Sequence, residues 1–144
     1  MPATDDPYDL SRFVRAQDPV YDDVCSELRA GRKTSHWMWF VFPQIRGLGH
    51  SEMAQRFAIA SLDEAAAYLK HPILGPRLRH CTLLVNNTTH RSAHQIFGSP
   101  DDMKFRSSMT LFACATTDNE AFEHAIRKFF GGQHDPLTLD RLRR

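Results

Sequence analysis

The chain has 144 residues, 42% of them hydrophobic and 24% charged, with a formal net charge of +1. That length buries enough surface for one hydrophobic core, and that balance excludes both a disordered chain and a fibrous one. Near-neutrality gives no global pull toward nucleic acid, so nucleic-acid binding rests only on the basic tail Arg141, Arg143 and Arg144, expected as a frayed, solvated end.

Helix signals recur along the whole chain. Asp18 followed by Pro19 reads as an N-cap with proline at the first helical position, after which Val20, Val24 and Leu28 repeat every fourth residue until Gly31. The aromatic-rich stretch from Ser35 to Ser51 places Trp37, Phe40 and Val41 in the core, because rings packed this densely bury large apolar areas. Ser51 is expected to cap a helix through Met53, Gln55 and Phe57. Ser61 and Glu64 form a capping box ahead of a helix over Leu62 to Leu69. Leu74, Leu78, Cys81, Leu84 and Val85 line one helix face to about Asn86, with Pro76 in the first turn where no intrahelical bond is lost.

The polar connection from Asn86 to Ser92 is expected as a flexible loop. Ser99, Pro100, Asp101 and Asp102 open a helix running to about Ala115, with acidic side chains at the positive end of its dipole. Phe122, Ala125, Ile126, Phe129 and Phe130 give a further helix stopped by Gly131 and Gly132, and Asp135 with Pro136 starts a short last one carrying Leu139 and Leu142. No run alternates as a strand. The expected fold is therefore all-α, a single compact domain of about six to eight helices over residues 1–144, with 1–7 and 143–144 frayed. Cys25, Cys81 and Cys114 each fall in a helical segment and are expected as buried free thiols.

The longest apolar run, Trp37 to Pro43, is far short of the roughly 20 residues that cross a bilayer. The N-terminus has neither the basic start nor the apolar middle of a secretory signal, so a cytoplasmic protein without a membrane partner is expected.

Chemistry concentrates between His36 and Ser51. His36, Gln44 and Arg46 sit among apolar neighbours, and a buried polar group without a partner costs about 1–3 kcal/mol. Their partners are either backbone carbonyls and a carboxylate such as Asp101 or Asp102, or a ligand. Gly47 and Gly49 let the backbone turn tightly and approach a bound group. Ser51 opens a helix whose free N–H groups, flanked by Arg46 and His50, suit an anion. The pattern is neither a P-loop nor a dinucleotide fingerprint. A second polar cluster holds Asp101, Asp102, Lys104, Ser107, Ser108 and Thr110, and the two clusters make one site only if the fold joins them. His90 and His94 have zinc-ligand spacing, but no glutamate or CxxC accompanies them, and they read as loop and cap histidines with no metal.

Several separated blocks carry a family pattern. His36-Trp-Met-Trp-Phe-Val-Phe-Pro-Gln-Ile-Arg-Gly-Leu-Gly49, then Tyr68-Leu69 with His71-Pro72-Ile73-Leu74-Gly75, then Phe97-Gly98-Ser99-Pro100-Asp101-Asp102-Met103-Lys104 and Ser107-Ser108-Met109-Thr110-Leu111-Phe112 closely resemble the bacterial family known as domain of unknown function 1810, over about Tyr8 to Leu142. The resemblance implies a single mainly helical domain and brings no catalytic residue with it. A looser likeness, in helical layout and the Phe-Gly-x-x-Asp-Asp stretch, is to the ADP-ribose-linked N-glycosidase family.

The expectation is a small helical domain that binds a phosphate-bearing or nucleotide-derived metabolite resembling ADP-ribose, without a cofactor. Whether it also hydrolyses that ligand is left open. His36 and Arg46 would hold or polarise it, with Trp39, Gln44 and Lys104 as further contacts. Gly47, Gly49 and Ser51 would present N–H groups, and His36 with Asp102 would form the acid/base pair. The alternative is a non-catalytic interaction module in which Trp39 or Phe42 docks an unidentified protein.

Overall fold

The computed structural model describes residues 6–143. Ten helices run in order: α1 (Ser11–Gln17), α2 (Tyr21–Arg29), α3 (Met38–Val41), α4 (Glu52–Arg56), α5 (Leu62–Lys70), α6 (Leu74–Asn86), α7 (Ala93–Phe97), α8 (Asp101–Cys114), α9 (Glu120–Phe130) and α10 (Pro136–Leu142). An isolated parallel bridge joins Ile45 to Ile59. The all-helical class agrees with the sequence, but the number exceeds six to eight. α1, α3 and α7 are the additions, and each is too short to display a 3.6-residue period.

The long helices form around α8, against which α5, α7, α9 and α10 all pack, while α6 bridges α2, α5 and α9. Phe105, Met109, Leu111 and Phe112 of α8 are fully buried, as are Ser108 and Thr110 between them, so this helix is enclosed on most of its circumference. The Phe105 ring meets Phe42 edge-on at 5.0 Å and stacks on Phe97 at 4.7 Å, which ties α8 to α3 and α7. Phe13 meets Tyr68 edge-on at 5.1 Å, and Tyr68 packs on Phe112 at 5.2 Å, bringing α1 and α5 into the same core. The buried Gln17 amide serves this junction, donating to Phe40 O at 2.7 Å and to the Tyr68 hydroxyl at 3.1 Å.

Several local signals take the expected form. Ser51 and Ser61 accept from Ala54 N and Glu64 N, each at 3.1 Å. Gly131 ends α9 in the left-handed region at φ 63°. Asp135 caps α10 through Thr138 N at 3.2 Å and also accepts from Ser107 Oγ at 2.8 Å, anchoring α10 to α8.

Others are corrected. Asp18 ends α1 instead of capping α2: its N–H bonds Val14 O, and its carboxylate pairs with Arg77 at 2.8 Å. The Glu64 carboxylate accepts from Ala60 N at 2.9 Å and Arg12 at 3.0 Å, so the return half of the expected box goes to a neighbouring amide and a buried ion pair. Pro100, not Ser99, stands at the start of α8. Cys114 is exposed, unlike Cys25 and Cys81. The 86–92 connection is tied down, because Lys128 Nζ donates to Asn86 O and to Thr88 O, the latter at 2.7 Å, and Arg91 Nε donates to Gly31 O at 2.8 Å. It ends in a complete capping box between Ser92 and Gln95 that opens α7. Of the ends expected to fray, residues 1–5 and 144 lie outside the described residues, and Asp6 accepts from Leu10 N and Ser11 N at 2.7 and 3.0 Å.

Candidate ligand site

The site begins at a carboxylate with no obvious sequence signal. Glu27, near the end of α2, accepts from Thr34 N at 2.7 Å, Ser35 N at 3.0 Å, Ser35 Oγ at 2.5 Å and Trp37 Nε1 at 3.0 Å. These bonds fix the approach to α3, the one-turn helix that sends Trp37 into the core and leaves Trp39 half-buried. Lys33, on the same approach, bonds Asp101 at 2.9 Å and lies 5.1 Å from the Trp37 ring. Asp101 also holds Lys104 at 3.6 Å, and Lys104 Nζ sits 5.6 Å from the Trp39 ring centroid. An ammonium from α8 is thereby set over a planar ring from α3.

Beyond Pro43 the backbone runs beside residue 59. Ile59 N donates to Gln44 O at 2.9 Å and Arg46 N to Ile59 O at 2.8 Å, which makes the isolated bridge. Gly47 then turns at φ 101°, a left-handed value that suits glycine. Gly49 packs so closely on α4 that a Cβ there would lie 2.6 Å from Ala54 Cβ. Gln55 Nε2 donates to His50 O at 2.9 Å and closes the loop.

Between these parts lies a cavity of about 410 Å³, within the usual range for small-molecule sites. Met38, Phe42, Ile45 and Phe57 give it an apolar floor, while Trp39, Gln44, Arg46, His50, Gln55 and Lys104 give it an amphipathic and cationic wall. No carboxylate is among the described residues that line it. Arg46 is exposed, and its guanidinium has no partner among the described residues.

Of the residues expected at the site, Trp39, Gln44, Arg46, Gly47, Gly49 and Lys104 converge on this cavity. The two sequence clusters therefore meet, through Lys104. His36, Ser51 and Asp102 are not part of the lining. His36 is exposed, Ser51 spends its hydroxyl on Ala54 N, and Asp102 pairs with His94 at 3.5 Å. Neither Asp101 nor Asp102 faces Arg46, because lysines and His94 take them. α4 is five residues long, so its dipole is weak, and the cationic side chains are the stronger anion holders. Phe42, offered by sequence as a docking ring, is 1% exposed. His90 has φ 63° and precedes α7, so it does not share a helix face with His94.

Sequence reasoning missed Glu27, Lys33 and Gln55. It also missed Arg141, whose Nη2 reaches Gly47 O at 3.4 Å from 94 residues away.

Fold and site together define an all-helical single domain with one aromatic-walled cavity carrying lysine and arginine. The chain belongs to the family described as protein of unknown function (DUF1810), whose model matches residues 7–142. It is similar to the conserved hypothetical protein Rv1873 from Mycobacterium tuberculosis, whose crystal structure shares 58% identity and a TM-score of 0.96 over 96% of this chain and 99% of that one. No curated protein matches the chain. Among the described residues no helix is long and apolar enough to cross a membrane.

Proposed function

We propose that the cavity between α3, α4 and α8 binds a small anionic metabolite with a planar ring, of the nucleotide-derived class that includes ADP-ribose. The observation that carries this reading is the Trp39–Lys104 pair on the wall of a cavity whose lining includes Arg46 and no carboxylate. A base stacked on an aromatic side chain contributes about 1–3 kcal/mol. A hydrogen bond to a charged group contributes about 1.5–3 kcal/mol. The apolar floor supplies area without competing charge.

Isothermal titration with AMP, ADP and ADP-ribose tests the reading. Trp39→Ala and Lys104→Gln should each weaken binding by about 5- to 150-fold, from the same energies. His36→Ala and Asp102→Asn, which lie outside the cavity, should leave affinity within about threefold, on the order of 0.6 kcal/mol. Absence of binding by all three compounds at millimolar concentration sinks it. Hydrolysis of the bound ligand is a separate proposal, tested by chromatography of ADP-ribose after incubation with the protein. If turnover occurs, its loss in the His36 and Asp102 variants would return those residues to the mechanism. The interaction-module reading now rests on Trp39 alone, and a protein partner seated there would be displaced by nucleotide.

A further inference from the structure

Beside this cavity lies a second concavity of about 440 Å³, bordered by Arg46, Ser61, Asp63, Arg141 and Leu142, and the two share Ile45 and Arg46 as a common wall. Arg141 is laid flat against the partition: a Cβ on Gly47 would fall 2.6 Å from its Cζ, 2.8 Å from Nη1 and 2.9 Å from Nε. A side chain at residue 47 would push the guanidinium aside, and the φ of 101° there independently favours glycine. Among the described residues, the Arg141 guanidinium makes one hydrogen bond, the long contact to Gly47 O at 3.4 Å. Among the described residues, two guanidinium groups thus border one concavity against a single carboxylate, Asp63. A guanidinium presents its donors as a planar fork that matches the oxygens of a phosphate or carboxylate.

We infer that the ligand of this site carries two anionic groups in series, the first beside Lys104 and Arg46 and the second beyond Gly47 between Arg46 and Arg141. This rests on the nucleotide reading above and narrows it to nucleoside diphosphates and their derivatives, in preference to mononucleotides. Arg46 serves both halves and Arg141 only the distal one. That asymmetry is what an experiment can read.

Titration of AMP against ADP, which adds one anionic group and nothing else, is the test. The wild-type protein should bind ADP at least tenfold more tightly than AMP. Arg141→Gln should bring ADP to within about threefold of AMP while leaving AMP unchanged, and Arg46→Gln should weaken both. Arg141→Lys, which keeps the charge and loses the fork, should fall between, and it stands in if Arg141→Gln proves unfolded by circular dichroism. Equal wild-type affinities for AMP and ADP overturn the inference while sparing the broader reading, provided that Trp39→Ala weakens AMP binding as expected above. So does an Arg141→Gln variant that weakens both compounds alike or neither. No binding by either compound overturns both.

Discussion

Glu27 shows how one side chain sets up a site it does not touch. Its burial on its own would raise the carboxyl pKa, but the hydrogen bonds from Ser35, Thr34 and Trp37 outweigh that and hold it at about 2, below its ordinary 4.5. A carboxylate depressed in this way contributes stability that is fully present above its ordinary value and is lost as the pH falls toward 2. Glu27→Gln should therefore flatten the acid limb of the stability profile between about pH 4.5 and 2, while lowering stability at pH 7. Denaturant titrations across that range check both halves. An unchanged acid limb would mean that the 33–37 turn is held by packing alone. The Cys81 thiol, pushed up to about 12 by burial and the neighbouring Cys25, is held protonated within the core.

Among elements, α5 and α6 approach closely at Gly75. A Cβ on Gly75, in the first turn of α6, would lie 2.1 Å from the Leu69 carbonyl oxygen. In an open helix an alanine replacing glycine gains about 1 kcal/mol. Here the obstacle is backbone, which cannot rotate away, and overpacking of this kind costs about 1–3 kcal/mol and occasionally more. Gly75→Ala should thus destabilise, and a urea midpoint equal to or above wild type would contradict the close approach.

The longer helices were legible through different signals: apolar periodicity in α2, α6 and α9, the Ser61 cap at α5, the acidic first turn of α8 and the Gly131 stop after α9. α3 and α7 were not, since four or five residues show no period and their positions are set by partners elsewhere: Glu27 for the approach to α3, Gly31 for Arg91 ahead of α7. The cavity divides along the same line. Trp39, Gln44, Arg46, Gly47 and Gly49 stand in one short run and could be singled out by composition. Lys104 came from a separate cluster, and Arg141 was read only as part of a solvated basic tail, because contacts across 94 residues leave no local trace.

At the scale of the whole molecule, a continuous aromatic seam joins the site to the core. Phe42 borders the cavity with one part of its surface and meets Phe97 and Phe105 with another, and Phe105 reaches on to Phe129 and Phe130 of α9. Phe105→Ala should cost about 3–5 kcal/mol, the range for large rings removed from cores. Against a typical domain stability of about 5–15 kcal/mol, that leaves a folded but marginal protein. A thermal melt that shifts by only a degree or two would show the seam to be loosely packed. Ligand affinity should fall in the same variant, because the floor of the cavity and the centre of the core share Phe42.

The two tryptophans, two positions apart, also divide the protein's optical behaviour between them. Trp37 is enclosed, with its indole N–H given to Glu27, whereas Trp39 is half open to solvent on the cavity wall with a lysine ammonium nearby. The first, enclosed in the core, should emit to the blue and report chiefly on whether the chain is folded. The second emits further to the red and is the one a stacked base would quench. Emission read on its red side should therefore follow occupancy, and on its blue side unfolding, in one sample without a label.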